Sequence, residues 1–321
     1  VPSENVEKAM EIQADALLYS LYEQSEIDME RTVIHEEIRL RVDSPQTHLF
    51  DMAIEHLFAG TVYAKNVIGS VEELANVHRA EVVDFYNEHY VPNNMVLVVT
   101  GNVDAEAIFS QAEELYGQMI PKPLGLTEHI VIPRLDTVVY LKEERPLQQS
   151  YVFLGHPAPG TNTHEAAALT MAGVILGGGR SSRLYKRLVE EEQIVTSVSA
   201  SYSGFSAIGI FGILAELDPS QMDRFVEIVR EELTRLQSEP VSEAELLRAQ
   251  AMARSSLAFS TESSTNVAMY LGQMEIYGGV MGAVNRGALL EQITADDIQN
   301  VAQRFLHPES YIHSEISPVG R

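Results

Sequence analysis

The stretch "ERTVIHEEIRL", residues 30–40, places two carboxylates, Glu30 and Glu37, seven residues apart. At 3.6 residues per turn they share a helix face with Ile27, Ile34 and Ile38, while Arg31, Glu36 and Arg39 turn mostly away. Carboxylates in an apolar stripe are costly unless something pairs with them. That partner is either chemical or structural: a solvated face, a cap, or Arg31, Arg39 or Arg41 across a helical turn would also serve. Periodicity alone leaves the choice open.

Other residues that could do chemistry are quickly weighed. Gly177-Gly178-Gly179 could cradle a phosphate at a helix start, but no Lys-Ser/Thr follows, so a tight turn fits better. Ser181-Ser182 with distant histidines does not make a nucleophile. With no cysteine there is no thiolate, disulfide framework or Cys-based metal site, and the compartment stays open. Lys+Arg 22 against Asp+Glu 46 gives a formal charge of -24. That balance opposes nucleic acid and anionic membrane; it favours cationic partners or peptides and also fits a solubilising acidic surface. No apolar run is long enough to span a bilayer.

The elements that must carry these residues come in two copies. "PSENVEKAMEIQADALLYSLYEQSEIDMERTVIHEEI" lies against "PSQMDRFVEIVREELTRLQSEPVSEAELLRAQAMARS" at a constant offset of 217, matching Pro2, Ser3, Ser25, Glu26 and Arg31 with Pro219, Ser220, Ser242, Glu243 and Arg248. "ANVHRAEVVDFYNEHYVP" lies against "EQITADDIQNVAQRFLHP" at offset 216. Each copy then enters a strand-like run, "MVLVVTGNV" or "SYIHSEISPV". Upstream of the second copy stand two further strands, "TVVYLKEE" and "QSYVFLGHPAPG", and the helix "THEAAALTMAGVIL". The glycine segment follows, then the strands "IVTSVSASYSG" and "AIGIFGILAEL". The first copy lacks that block, so the expectation is a chain that begins inside its first domain. The fold expected is α+β, a mixed α/β sandwich of two homologous domains. Residues 1–119 form the rear of the first domain, 120–135, with three prolines, the linker, and 136–321 the second domain. The repeat also supplies a control: opposite Glu30 and Glu37 stand Leu247 and Arg254, so the fold itself does not demand acids there.

The spacing Glu-x6-Glu, followed by Asp43-Ser44-Pro45, "VIGSVEEL" and "VVDFYNEHYVPNNMVLVVTGNVD", resembles the second part of the catalytic domain of the pitrilysin/insulinase (M16) zinc metallopeptidases, which include the mitochondrial processing peptidases. "LGGGRSSRLYKRLVEEE" is similar to the glycine-rich segment of that family's C-terminal domain. The resemblance implies a zinc metalloendopeptidase whose two domains close like a clamshell on an extended peptide, alone or as a homo- or heterodimer with another such subunit. It makes Glu37 the third ligand of a Zn2+ ion, Glu30 a conserved acid beside it, and Gly177, Gly178 and Gly179 part of the substrate-binding region. In the family two histidines of an HxxEH motif hold the metal, and its glutamate acts as general base on the metal-bound water. No HxxEH occurs here: the windows ending in Glu-His at 55–56, 88–89 and 128–129 open on Met52, Phe85 and Gly125. Val189 and Thr196 occupy the positions of a family Arg and Tyr that steady the peptide. These departures imply an alternative, a non-catalytic subunit that binds peptides or partners an active peptidase.

Overall fold

The computed structural model describes residues 1–125 and 130–320, so the expected linker lies partly outside the described residues. The helices are α1 (Val6–Leu18), α2 (Gln24–Asp43), α3 (Pro45–Leu57), α4 (Val71–Ala75), α5 (Arg79–His89), α6 (Ala105–Tyr116), α7 (His164–Gly177), α8 (Met222–Ser238), α9 (Glu243–Ser260), α10 (Ser264–Ile276), α11 (Val280–Gln292) and α12 (Ala295–Phe305). The strands are β1 (Val139–Arg145), β2 (Ser150–Pro159), β3 (Val195–Gly204), β4 (Ile208–Leu217) and β5 (Ile312–Pro318). The chain divides into two compact units with interleaved segments: Val1–Ile38, Ile68–Glu128 and Ser260–Ala283 in one, Arg39–Val67, His129–Phe259 and Val284–Arg321 in the other.

The repeat read from the sequence reappears in the elements. Helix α5 and helix α12 are offset by 216 at both ends, 79 to 295 and 89 to 305, and α2 and α9 end 217 apart, at 43 and 260. Pro2-Ser3 and Pro219-Ser220 both open a 3-10 turn that leads into a long helix, α1 or α8. Thr294 caps α12 reciprocally with Asp297, and Ser242 does the same with Glu245 at α9.

The second unit is built on a sheet in the order β1-β5-β2-β4-β3, parallel only between β1 and β5. One face carries the larger core, in which α7, α8 and α12 bury Leu169, Ile175, Phe225, Ile228 and Ile298 against Val152, Leu154, Phe211 and Ile213. Helix α7 is apolar nearly all round and buried nearly all round, as a helix enclosed by sheet and helices must be. The other face meets α3, whose Leu49, Ala53, Ile54 and Leu57 pack on Phe153, Ile210, Ile312 and Ile316. Sequence placed α3 with the first domain, yet its contacts belong to this sheet.

The first unit is helical. Helices α1 and α6 pack together, and Met10, Ala14, Ile108 and Met274 are among its buried side chains. The strand expected in "MVLVVTGNV" does not form. Its counterpart β5 is hydrogen-bonded on both sides, to β1 and to β2. Residues 95–100 have no such neighbours among the described residues, and extended backbone without ladder partners is not a strand. Val96 and Leu97 stay exposed as a result.

Candidate functional site

Glu30 and Glu37 both lie on α2, two turns apart, as the spacing requires. Their expected burial is not observed. Ile38 is buried and Ile27 and Ile34 are half-buried, but both carboxylates are exposed. Water supplies what a cation or arginine would otherwise have to supply, so the apolar stripe is narrower than the periodicity suggested. Arg31 is engaged elsewhere, donating to the carbonyls of Leu74 and, at 2.9 Å, Val77. It thereby closes the C-terminal end of α4, where a cation is favoured. Arg41 grips Asp51 with two bonds, Nε to Oδ2 at 2.7 Å and Nη2 to Oδ1 at 2.6 Å. Neither Glu30 nor Glu37 has a hydrogen-bond or ion-pair partner among the described residues. Glu30 lines a cavity of about 450 Å³ in the first unit with Tyr22, Ile27, Ile34, Leu74 and Val77.

Among the described residues no three His, Asp or Glu side chains come together as a metal site. Glu37 offers one exposed carboxylate, and zinc needs three or four ligands at short range. The described residues therefore do not by themselves fit the ion.

The glycine segment is shaped by packing. Gly177 ends α7, and a Cβ placed there would lie 2.7 Å from both the Ala200 Cβ and the Ser199 carbonyl carbon of β3. The same helix crosses β3 closely at Gly173, where an added Cβ would lie 3.2 Å from the Ala200 carbonyl oxygen. Gly178 would meet Val174 one turn back, and Gly179 turns the chain with φ +78°, a conformation that glycine adopts cheaply. Small residues thus bring α7 down onto the backbone of β3.

β3 is the outer strand of the sheet and pairs only with β4 among the described residues. Val198, Ala200 and Tyr202 face α7 and its core, while Ser197, Ser199, Ser201 and Ser203 alternate on the opposite face and are exposed. Three of these serines line a cavity of about 370 Å³ with Phe50, Phe153 and Gly212. A side chain at Gly212 would run into the Phe153 ring, so that ring lies across β4, and Phe50 of α3 meets it edge-on at 5.8 Å. The result is an open strand edge beside a polar and aromatic recess.

The positions of the expected Arg and Tyr are filled by packing residues. Val189 is half-buried against the main core, and Thr196 Oγ1 accepts from Gln149 Nε2 at 2.9 Å. The nearby arginines are committed to carboxylates. Arg183, with a side chain only 7% exposed, gives Nε and Nη2 to Glu245 at 2.6 and 3.1 Å, and Arg187 pairs with Glu231 and Glu232. The Arg183 hydrogen bonds hold the Glu245 carboxyl down to about 2, helped by the Ser242 cap. Sequence reading passed over Glu245; its place three residues after Ser242 was the available signal.

A family model described as the peptidase M16 inactive domain matches residues 76–253, more than half of the chain. The chain belongs to the peptidase M16 family. It is similar to an uncharacterized zinc protease of Mycobacterium leprae, 26% identical over 94% of this chain and 69% of that protein. It is equally similar to an uncharacterized zinc protease of Streptomyces coelicolor, 26% identical over 93% of this chain, of which it spans 66%. Among solved structures, a protease from Helicobacter pylori superposes with a TM-score of 0.89 at 20% identity, covering 98% of this chain and 78% of that one. The α+β, M16-type architecture expected from sequence is therefore established. So is kinship with proteins named zinc proteases, although the described residues show no metal site. No helix among the described residues is long and apolar enough to cross a membrane.

Proposed function

We propose that this chain is the peptide-holding portion of an M16 zinc-dependent metalloendopeptidase. The observation that carries the reading is the unpaired edge of β3. An extended peptide adds to such an edge through main-chain hydrogen bonds, and recesses beside the edge select alternate side chains. The recess formed by Phe50, Phe153 and the β3 serines would take an apolar or small polar side chain. The acidic composition favours basic peptides over acidic ones. Hydrolysis requires metal ligands and a general base that these residues do not contain. Glu37 is the carboxylate this chain would contribute, and Glu30 its companion on α2. The glycine segment serves indirectly, by fixing β3 against α7.

A second reading, a non-catalytic subunit that presents peptides to an active partner, is favoured by the packing roles of Val189 and Thr196. The two readings part on one experiment. Peptide cleavage is followed by mass spectrometry after the chain is mixed with zinc and a polypeptide bearing an M16 HxxEH helix. Cleavage that Glu37→Gln abolishes supports the first reading, and peptide binding without cleavage supports the second. Absence of peptide binding contradicts both.

A further inference from the structure

In a chain of net charge -24, basic side chains that gather in one place call for a reason. Arg183, Lys186, Arg187, Arg235 and Arg248 line a single cavity of about 470 Å³ in the second unit. They converge from the turn after α7, the π-helical turn Tyr185–Glu191, α8 and α9. Three carboxylates share the wall, Glu191, Glu232 and Glu245, so the lining carries five positive charges against three negative, a formal +2.

The positive charges are unevenly satisfied. Arg183 and Arg187 are paired as described above, and Arg235 Nε donates to Glu239 at 3.1 Å. Lys186 is exposed and has no acidic partner among the described residues. Arg248 likewise has none; its Nη1 donates to Ser181 Oγ at 2.6 Å. Arg183 Nη1 is buried without any hydrogen-bond partner. Buried donors in folded proteins are almost always paired, and an unpaired N–H on a charged group is costly. Arg183 Nη1 therefore lacks an acceptor, and the cavity that Arg183 lines also carries Lys186 and Arg248, neither of which is ion-paired among the described residues.

We propose that this cavity binds an oxyanion, a phosphate or a carboxylate, with Lys186, Arg248 and Arg183 as its donors. Guanidinium groups suit both ligands because their paired N–H bonds match two oxygens at once. Glu232 shapes the choice between them. Its Oε1 accepts from Arg187 at 3.2 Å, its Oε2 is buried without a hydrogen bond, and Arg235 Nη1 comes no nearer to it than 3.9 Å. A phosphate that keeps one O–H can donate to Oε2, whereas a carboxylate cannot. The site is separate from the β3 edge and does not depend on the peptide-holding reading.

The test is isothermal titration of the full chain with inorganic phosphate, and separately with a short peptide ending in a free carboxylate and with its amide. The same titrations are run on the Lys186→Gln, Arg248→Gln double variant. Neither change breaks an ion pair, and circular dichroism confirms that the variant is folded. Saturable phosphate binding that weakens at least tenfold in the variant supports the site with phosphate as its ligand. A free-acid peptide that binds at least tenfold more tightly than its amide, with the advantage lost in the variant, supports it with a carboxylate. Absence of saturable binding by phosphate or free acid, or binding unchanged in the variant, overturns it. Failure here with the amide still binding would leave the β3 reading standing.

Discussion

Replacing Gly177 by alanine adds one methyl group where α7 meets β3. The new Cβ would run into the Ala200 backbone nitrogen, its nearest neighbour, and would lie 2.7 Å from the Ala200 Cβ and the Ser199 carbonyl carbon, against an ordinary contact of 3.4 Å or more. The helix or the strand must therefore give way by at least 3.4 − 2.7 = 0.7 Å. Neither is free to do so: β3 is tied to β4 along its length, with Ala200 opposite Ile213, and α7 is buried between sheet and helices. Overpacking against backbone of this kind costs about 1–3 kcal/mol, and the absence of a flexible neighbour puts Gly177→Ala near the upper end. Alanine's helix propensity offsets little at the last residue of a helix. The expected effect is a fall in melting temperature of roughly 2–4 °C per kcal/mol for a domain of this size, or about 6–12 °C in all. Gly179→Ala is the control, since open space surrounds it apart from Met252 Cε at 3.8 Å; its cost is the left-handed backbone alone, about 1 kcal/mol. Thermal unfolding followed by circular dichroism reads both. If Gly177→Ala is as stable as the parent, or less harmful than Gly179→Ala, the close approach of α7 to β3 is not what this glycine provides.

Three further outcomes follow from the same geometry. His156 is fully buried, and burial, aided by the charge of His307, lowers its pKa from 6.5 to about 3. The unfolded chain then binds the proton that the folded chain refuses, so stability falls as pH drops through 6.5, by about 1.4 kcal/mol per pH unit between pH 6 and 4.5; urea titrations of His156→Leu should show a slope shallower by one proton. Glu245→Gln leaves the buried Arg183 without its charge partner and should cost about 3 kcal/mol in urea unfolding at pH 7, at the low end of the range because Glu245 is partly exposed. Glu37→Gln, at an exposed and unpartnered position, should change stability by less than about 0.5 kcal/mol, and a larger loss in chemical denaturation would mean that Glu37 has a structural partner.

Much of the fold could be read from residues because the chain repeats itself. Caps and punctuation such as Pro2-Ser3 and Pro219-Ser220, or Ser242 with Glu245, mark helix starts by local chemistry that tertiary contacts do not override. The strands of the second unit were legible because each forms an apolar or alternating run bounded by Gly, Pro or Ser. "MVLVVTGNV" has the same local signal and still is not a strand, because pairing is a property of two segments and no described strand pairs with it. The placement of α3 on the sheet of the second unit was hidden for a similar reason: an amphipathic helix declares its apolar face but not which surface covers it. At the candidate site the spacing of Glu30 and Glu37 was legible and their exposure was not, since a stripe of three isoleucines does not say how wide its cover is. The committed arginines escaped notice because Arg183 and Glu245 are 62 residues apart in sequence.

The account rests most heavily on β3 as a docking edge. Fluorescence anisotropy of a labelled, extended basic peptide, compared with its analogue N-methylated at alternate residues, tests that directly. N-methylation removes the main-chain donors on one side of the peptide and leaves every side chain in place. Binding weakened at least tenfold when the methyl groups face β3, and unchanged when the register is shifted by one residue, is the predicted result. Equal binding by the parent peptide and both analogues would contradict strand addition and the proposed function with it.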